Sequence, residues 1–281
     1  MTTAMGPMNY GKSTIHLVKV TRDAGRHELR DLMVDVTLDG DFSEAYVRGD
    51  NTDMPATDTL RNTVYALAGD HLNGSIESFG LTLARHFAAV SPLVSGVEVR
   101  IVEYPWGHIT AGGRQHDHSF VRAVGDRIAI VTSDADTLQV QAGIDHVTIL
   151  KTTASGWSSF HRDRYTTLPD TEDRILAIVV TATWTYAKRT EMDFDRSWQN
   201  IHSCILETFT DHYSPSVQHT LYRMGNAVLE THPQVESIHF SLPNKHHLLF
   251  DLSRFGAAND NAIFWATDQP YGVIEGTVRR H

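Results

Sequence analysis

The sequence has 281 residues, 41% of them hydrophobic and 21% charged, an ordinary balance for a folded chain with room for one large domain or two lobes of about 140 residues. Twenty-four Lys and Arg against 34 Asp and Glu leave a formal net charge of −10, the wrong sign for coating a phosphate backbone, so nucleic acid is not an expected partner. A single cysteine, Cys204, rules out an intrachain disulfide, and the longest apolar block, residues 175–180, is far too short to cross a bilayer.

The first eight or so residues are expected to be irregular, without the basic and apolar pattern of a signal peptide. Residues 15–20 and 29–38 are rich in β-branched and apolar side chains, and Gly40 follows, which reads as a pair of strands. Leu60, Val64, Leu67 and Ala68 recur at helical spacing. After Asn73-Gly74, the stripe Ile76, Phe79, Leu83 and Phe87 predicts a second, longer helix. Val97, Val99 and Ile101 alternate with Glu98 and Arg100 as a half-buried strand, Gly112-Gly113 sits in a turn, and residues 127–140 hold at least one more strand.

The second half repeats that order. Residues 147–152 and 175–184 read as strands, and Trp198, Ile201, Ile205 and Phe209 share one helix face. Cys204 falls at that spacing, which suggests a buried thiol rather than a nucleophile. Ser214-Pro215 reads as a cap with proline at the first helical position, opening a helix with Val217, Leu221, Met224 and Val228 on its inner face. Ile238, Phe240 and Leu242 alternate as a strand, Leu248, Phe250 and Leu252 do the same, and residues 262–266 and 272–278 follow. Paired helices between strand pairs, with no βαβ alternation and no Gly-rich phosphate loop, predict an α+β fold of largely antiparallel sheets rather than a Rossmann domain. The expected division is two copies of one unit, residues 1–143 and 144–281.

Five separated strings carry a resemblance. They are Tyr10-Gly11-Lys12; Ala56-Thr57-Asp58-Thr59 with Asn62-Thr63; Arg162-Asp163-Arg164-Tyr165-Thr166-Thr167-Leu168 running on to Asp173-Arg174-Ile175-Leu176; Ser216-Val217-Gln218; and Ser241-Leu242-Pro243-Asn244-Lys245-His246. Each is weak alone. In this order, across almost the whole chain, they resemble the urate oxidase (uricase) family. The resemblance implies tandem tunnelling-fold units, each ββααββ, in a barrel-shaped homotetramer whose active sites are shared between subunits. It also implies oxidation of urate by dioxygen, in purine degradation, to 5-hydroxyisourate and hydrogen peroxide, without a metal or organic cofactor.

Urate is a flat, electron-rich anion edged with hydrogen-bonding groups, so its site needs a stacking face and rigid in-plane donors. By resemblance, Arg174 grips one edge with its guanidinium fork and Gln218 the opposite edge, and the free first-turn amide of Val217 adds a third bond. Trp157 stands where the family stacks the ring on phenylalanine, with Phe160 as the alternative stacking residue. Thr57 and Asp58 belong to the substrate-binding set, and Asn244 with Thr57 holds a water or dioxygen above the ring. Lys12 and Thr57 form a dyad that relays protons with His246, and a lysine serves as base only where desolvation or a nearby cation favours its neutral form.

Taken singly these residues look structural: Arg174 an ion pair with Asp173, Gln218 a cap, Asn-Lys-His a turn. The metal reading invited by 17 histidines, with His116-Asp117-His118 and His246-His247, lacks an evident third ligand. Two rivals remain, a zinc-dependent pterin-processing enzyme on the same fold and a purine-binding protein without turnover. Arg279-Arg280-His281 differs from the peroxisomal Ser-Lys-Leu ending, so a cytoplasmic location is expected.

Overall fold

The computed structural model describes residues 3–23, 25–134, 137–187 and 192–280; Met1 and Thr2 of the irregular start, Ala135 and Asp136 within the strand-forming span, and His281 of the chain-end reading lie outside them. Two compact units divide the chain, Met1–Gly143 with Thr185–Trp198, and Ile144–Trp184 with Gln199–His281.

In the first unit, β1 (Asn9–Asp23) and β2 (Arg26–Gly40) pair antiparallel, and β3 (Val94–Tyr104) and β6 (Asp126–Asp134) continue the order β1-β2-β3-β6. Ile15, Leu17, Leu32, Val34, Val36, Leu38, Val99 and Ile101 alternate inward and are buried; full burial of each such side chain contributes about 1.5–3 kcal/mol. The helices α2 (Thr57–His71) and α3 (Ile76–Ala88) supply the other half of this core through Leu60, Val64, Phe79, Leu83 and Phe87. Ser75 caps α3 by accepting the Ser78 amide. Gly80 lets α3 approach β6 closely, since a Cβ there would stand 2.8 Å from Val131 Cγ2.

Two elements have no counterpart in the expected ββααββ pattern. One is the short helix α1 (Ser43–Arg48), and the other the hairpin of β4 (Trp106–Ala111) and β5 (Arg114–Arg122). Gly112 and Gly113 form its two-residue turn with φ of +60° and +76°. The hairpin strands are largely exposed, so no apolar alternation announced them.

The second-unit order is β7 (Thr137–Lys151), β8 (Leu176–Tyr186), β9 (Val235–Leu249) and β10 (Phe264–Arg279), with helices α4 (Phe194–Thr210) and α5 (Val217–Thr231). The parts of β7, β8 and α4 in residues 137–143, 185–186 and 194–198 belong to the first unit. The repeat shows in detail. Thr14 of β1 and His146 of β7 both have φ of +57°. Five residues beyond each stands a lysine that caps a helix C-terminus: Lys19 donates to the carbonyls of Ala68, Gly69 and Leu72, and Lys151 to those of Phe209 and His212.

Three local expectations are corrected. Helix α5 is capped by Ser216, which accepts the His219 amide, and starts at Val217; Ser214 turns its hydroxyl to Ser216 O and Thr220, and Pro215 precedes the helix. The expected break around Asn244-Lys245-His246 is absent, because β9 runs unbroken to Leu249 and the irregularity lies in its partner β10, between Thr267 and Gly272. Cys204 is only half-buried: it stands beside the Ile201, Ile205 and Phe209 stripe, with Sγ 3.7 Å from Thr231 Oγ1. Among the described residues no helix is long and apolar enough to cross a membrane.

Candidate active site

A cavity of about 940 Å³ opens in the second unit, and six of the nine residues singled out in the sequence line it: Trp157, Arg174, Val217, Gln218, Asn244 and His246. The fold brings them there by simple periodicity. On β9 the inward face carries Ile238, Phe240 and Leu242 into the core, and two and four residues further the same alternation delivers Asn244 and His246 to the cavity. The β10 irregularity lies opposite Lys245, so the ladder opens beside those two residues. At the start of α5, Ser216 takes the His219 amide. The Val217 and Gln218 amides have no acceptor among the described residues, and the positive helix terminus faces the cavity.

Arg174 is held by two bonds. Its amide donates to Ser155 O at 2.8 Å and its Nε to Gly156 O at 3.1 Å. The two terminal amino groups meet no acceptor among the described residues. Asp173, the expected ion-pair partner, instead accepts from Thr153 and Asn261. Burial lowers the guanidinium pKa from its very high ordinary value, with Tyr213 opposing, and the group remains a cation. Gln218 is exposed and leaves the capping to Ser216.

Trp157 exchanges backbone bonds with Thr171 at 2.7 and 2.9 Å. Its indole stacks on Phe160, with centroids 5.5 Å apart and an interplanar angle of 9°, and Arg162 covers Phe160 at 4.6 Å. Phe160 is not a lining residue; it braces the indole that is. Asn244 is 8% exposed, and its amide has no protein partner among the described residues and opens on the cavity, where it can donate and accept toward a ligand. The His246 ring likewise has no protein partner among the described residues.

Lys12, Thr57 and Asp58 lie in the first unit. Tyr10 ties the first two together locally, because its hydroxyl donates to Pro55 O at 2.9 Å while its ring packs edge-on against Phe42. The strand two residues before Lys12 is thereby fastened to the chain two residues before Thr57. Gly11 is required by close packing, since a Cβ there would stand 1.9 Å from Val36 O. A bulge follows Lys12, with the Thr14 amide donating to Asp35 at 2.6 Å. Thr57 opens α2 and is exposed, whereas the Asp58 carboxylate is engaged by Arg61 at 2.7 Å and Asn62 at 3.1 Å. As for the histidines, His116 and His118 meet edge to face at 4.4 Å. Among the described residues no group of three or more His, Cys, Asp or Glu is arranged to hold a metal.

The family model for uricase matches residues 8–129 and 140–275. The chain belongs to the uricase family. It is 43% identical to the uricase of Arthrobacter globiformis over 98% of this chain and 90% of that one. With the Dictyostelium discoideum uricase it shares 41% identity over 96% of each. The crystal structure of the Arthrobacter globiformis uricase superposes with a TM-score of 0.94, covering 100% of this chain and 96% of that one. Membership of the uricase family does not favour the pterin-processing alternative.

The sequence reading missed part of the cavity wall. Asp170, Thr171 and Asn261 come from irregular stretches and Gln269 from the β10 irregularity, where no periodicity marks an inward position, whereas Trp265 comes from the regular start of β10, paired with Leu248. Trp265, 61% exposed on a strand, is the one that composition alone could have flagged.

Proposed function

We propose that this uricase-family chain is a urate oxidase, converting urate, dioxygen and water to 5-hydroxyisourate and hydrogen peroxide. The observation that carries the reading is the convergence, in one cavity, of a guanidinium with free terminal donors, a helix N-terminus with free amides, an amide side chain and a braced indole. That set matches a flat anion edged with acceptors. Arg174 and Gln218 grip opposite edges of the ring, the Val217 amide adds a bond, and Trp157 supplies the stacking face. Asn244 and Thr57 hold the water or dioxygen above the ring, and Asp58 belongs to the same binding set.

The bound urate gives up two electrons to dioxygen. Water adds its hydroxyl to the oxidised ring carbon, and protons released from urate and water leave with the reduced oxygen as peroxide. Lys12, Thr57 and His246 relay those protons. Urate itself is the reductant, and in this reading no metal or organic cofactor takes part.

The same proposal has Lys12, Thr57 and Asp58 supplied to each cavity by a neighbouring subunit of a homotetramer built from two repeats per chain, residues 1–143 and 144–281. Two features support it. Each unit ends in a long strand, β1 or β10, that pairs along one edge only within its unit, and such open edges invite further pairing. A bicyclic purine fills only a fraction of about 940 Å³, which leaves room for side chains from a second protomer. The paired capping lysines Lys19 and Lys151 support the repeat.

The test is to add urate in air and follow its ultraviolet absorbance together with peroxide. Loss of urate with one peroxide formed per urate consumed is expected. Binding of urate without oxygen uptake would establish the non-catalytic reading instead.

A further inference from the structure

We propose that Gly156 and Tyr213 form a clamp that fixes the plane of the Arg174 guanidinium, which makes both of them positioning residues for the ligand-binding edge of the cavity. The proposal rests on the reading of Arg174 as the grip on urate.

The hydrogen bonds around Arg174 close into a circuit. Gly156 O accepts from Arg174 Nε at 3.1 Å, and the Gly156 amide donates to Ser214 O at 2.9 Å. The neighbour of Ser214 is Tyr213, whose hydroxyl crosses to donate to Glu172 O at 3.0 Å, with the Glu172 carboxylate 3.3 Å away. Two residues on stands Arg174 again, its amide bound to Ser155 O at 2.8 Å. Desolvation and the Glu172 carboxylate raise the Tyr213 pKa, so the phenol keeps the proton it donates.

Glycine is demanded at the centre of this circuit. A Cβ on Gly156 would stand 2.1 Å from the Tyr213 oxygen and 3.0 Å from Thr171 O, so any other residue displaces the phenol or the backbone that carries Trp157. With Nε occupied and the backbone fixed on both sides, the guanidinium plane has one orientation. Its two terminal amino groups are then left as the fork toward the ligand.

The test uses the full-length protein with Gly156→Ala and Tyr213→Phe, the second removing only the hydroxyl. The Nε–H signal of Arg174, recognised in nitrogen-15 spectra by its absence in Arg174→Lys, should exchange slowly in the wild type and about tenfold faster in either variant. Anaerobic urate binding should weaken by about tenfold in either variant while kcat at saturating urate is retained, and Tyr213→Phe should add nothing on an Arg174→Ala background. Unchanged exchange in both variants overturns the clamp whatever the ligand. Faster exchange with unchanged urate affinity overturns the positioning role. A wild type that does not bind urate removes the urate reading instead, and the exchange rates still decide the clamp.

Discussion

Arg174, Lys12 and His246 are asked to do different things, and substitution should separate them. Arg174 offers charged donors to the ligand in its ground state, so Arg174→Ala should weaken urate binding by about 1.5–3 kcal/mol, roughly 10- to 100-fold. Lys12→Met and His246→Ala remove proton transfer, so they should lower kcat by on the order of 10²–10⁴ with little change in affinity. Anaerobic binding and steady-state rates on all three decide this, and equal losses of affinity would refute the division. At the stacking face, Trp157→Phe should be mild because a ring remains, whereas Trp157→Ala should weaken binding by about 0.5–1.5 kcal/mol beyond the lost area. The same titrations check that pair.

Among the elements of the first unit, one buried ion cluster does more than the surface pairs. Arg127 on β6 donates at 2.6 Å both to Glu77 on α3, which is fully buried, and to Asp195 in the first turn of α4, and it lies 5.1 Å from the Trp198 ring. Arg127→Ala leaves a buried carboxylate without its counter-ion and should cost about 3–5 kcal/mol in urea unfolding. Arg122→Ala breaks the 3.2 Å pair with Asp126 and the contact of a half-exposed guanidinium with the Tyr104 ring, 4.2 Å from its centroid, and should cost about 1–2 kcal/mol. Similar midpoints for the two variants would contradict the account of this core. The strength of the cluster comes from three elements meeting on one side chain, which no helix or strand pattern records.

For the whole molecule, acid stability follows from three histidines of the second unit. Burial pushes His202, His212 and His232 below their ordinary value of 6.5, and in His212 the bond to Thr208 O partly opposes this. A depressed histidine pKa means that the unfolded chain takes up protons first as pH falls, so stability present above about pH 6.5 is lost on acidification below it. The urea midpoint should drop between pH 7.5 and 5.5, and a flat profile would sink this. Assembly gives the second test at this scale. If Lys12 and Thr57 serve a neighbour's cavity, turnover per protomer should collapse on dilution below the dissociation range, as followed by light scattering and peroxide release together. A rate per protomer that survives dissociation would contradict the shared site.

The sequence alone determined the α+β class and the order of the main strands and helices, because apolar periodicity records which face of an element is buried, whereas the candidate site residues were legible only through the family resemblance of short polar strings. The resemblance included Asn244 and His246, although their strand looked like a turn until β9 ran through it. Tertiary structure alone decided that Ser216 rather than Ser214 caps α5, that Phe160 braces Trp157 instead of lining the cavity, and that Gly156 sits under Tyr213 beside Arg174. Those outcomes depend on separate segments meeting, Ser214 with Gly156, Trp157 with Thr171 and Tyr213 with Glu172, and neither local propensity nor spacing along the chain carries that information.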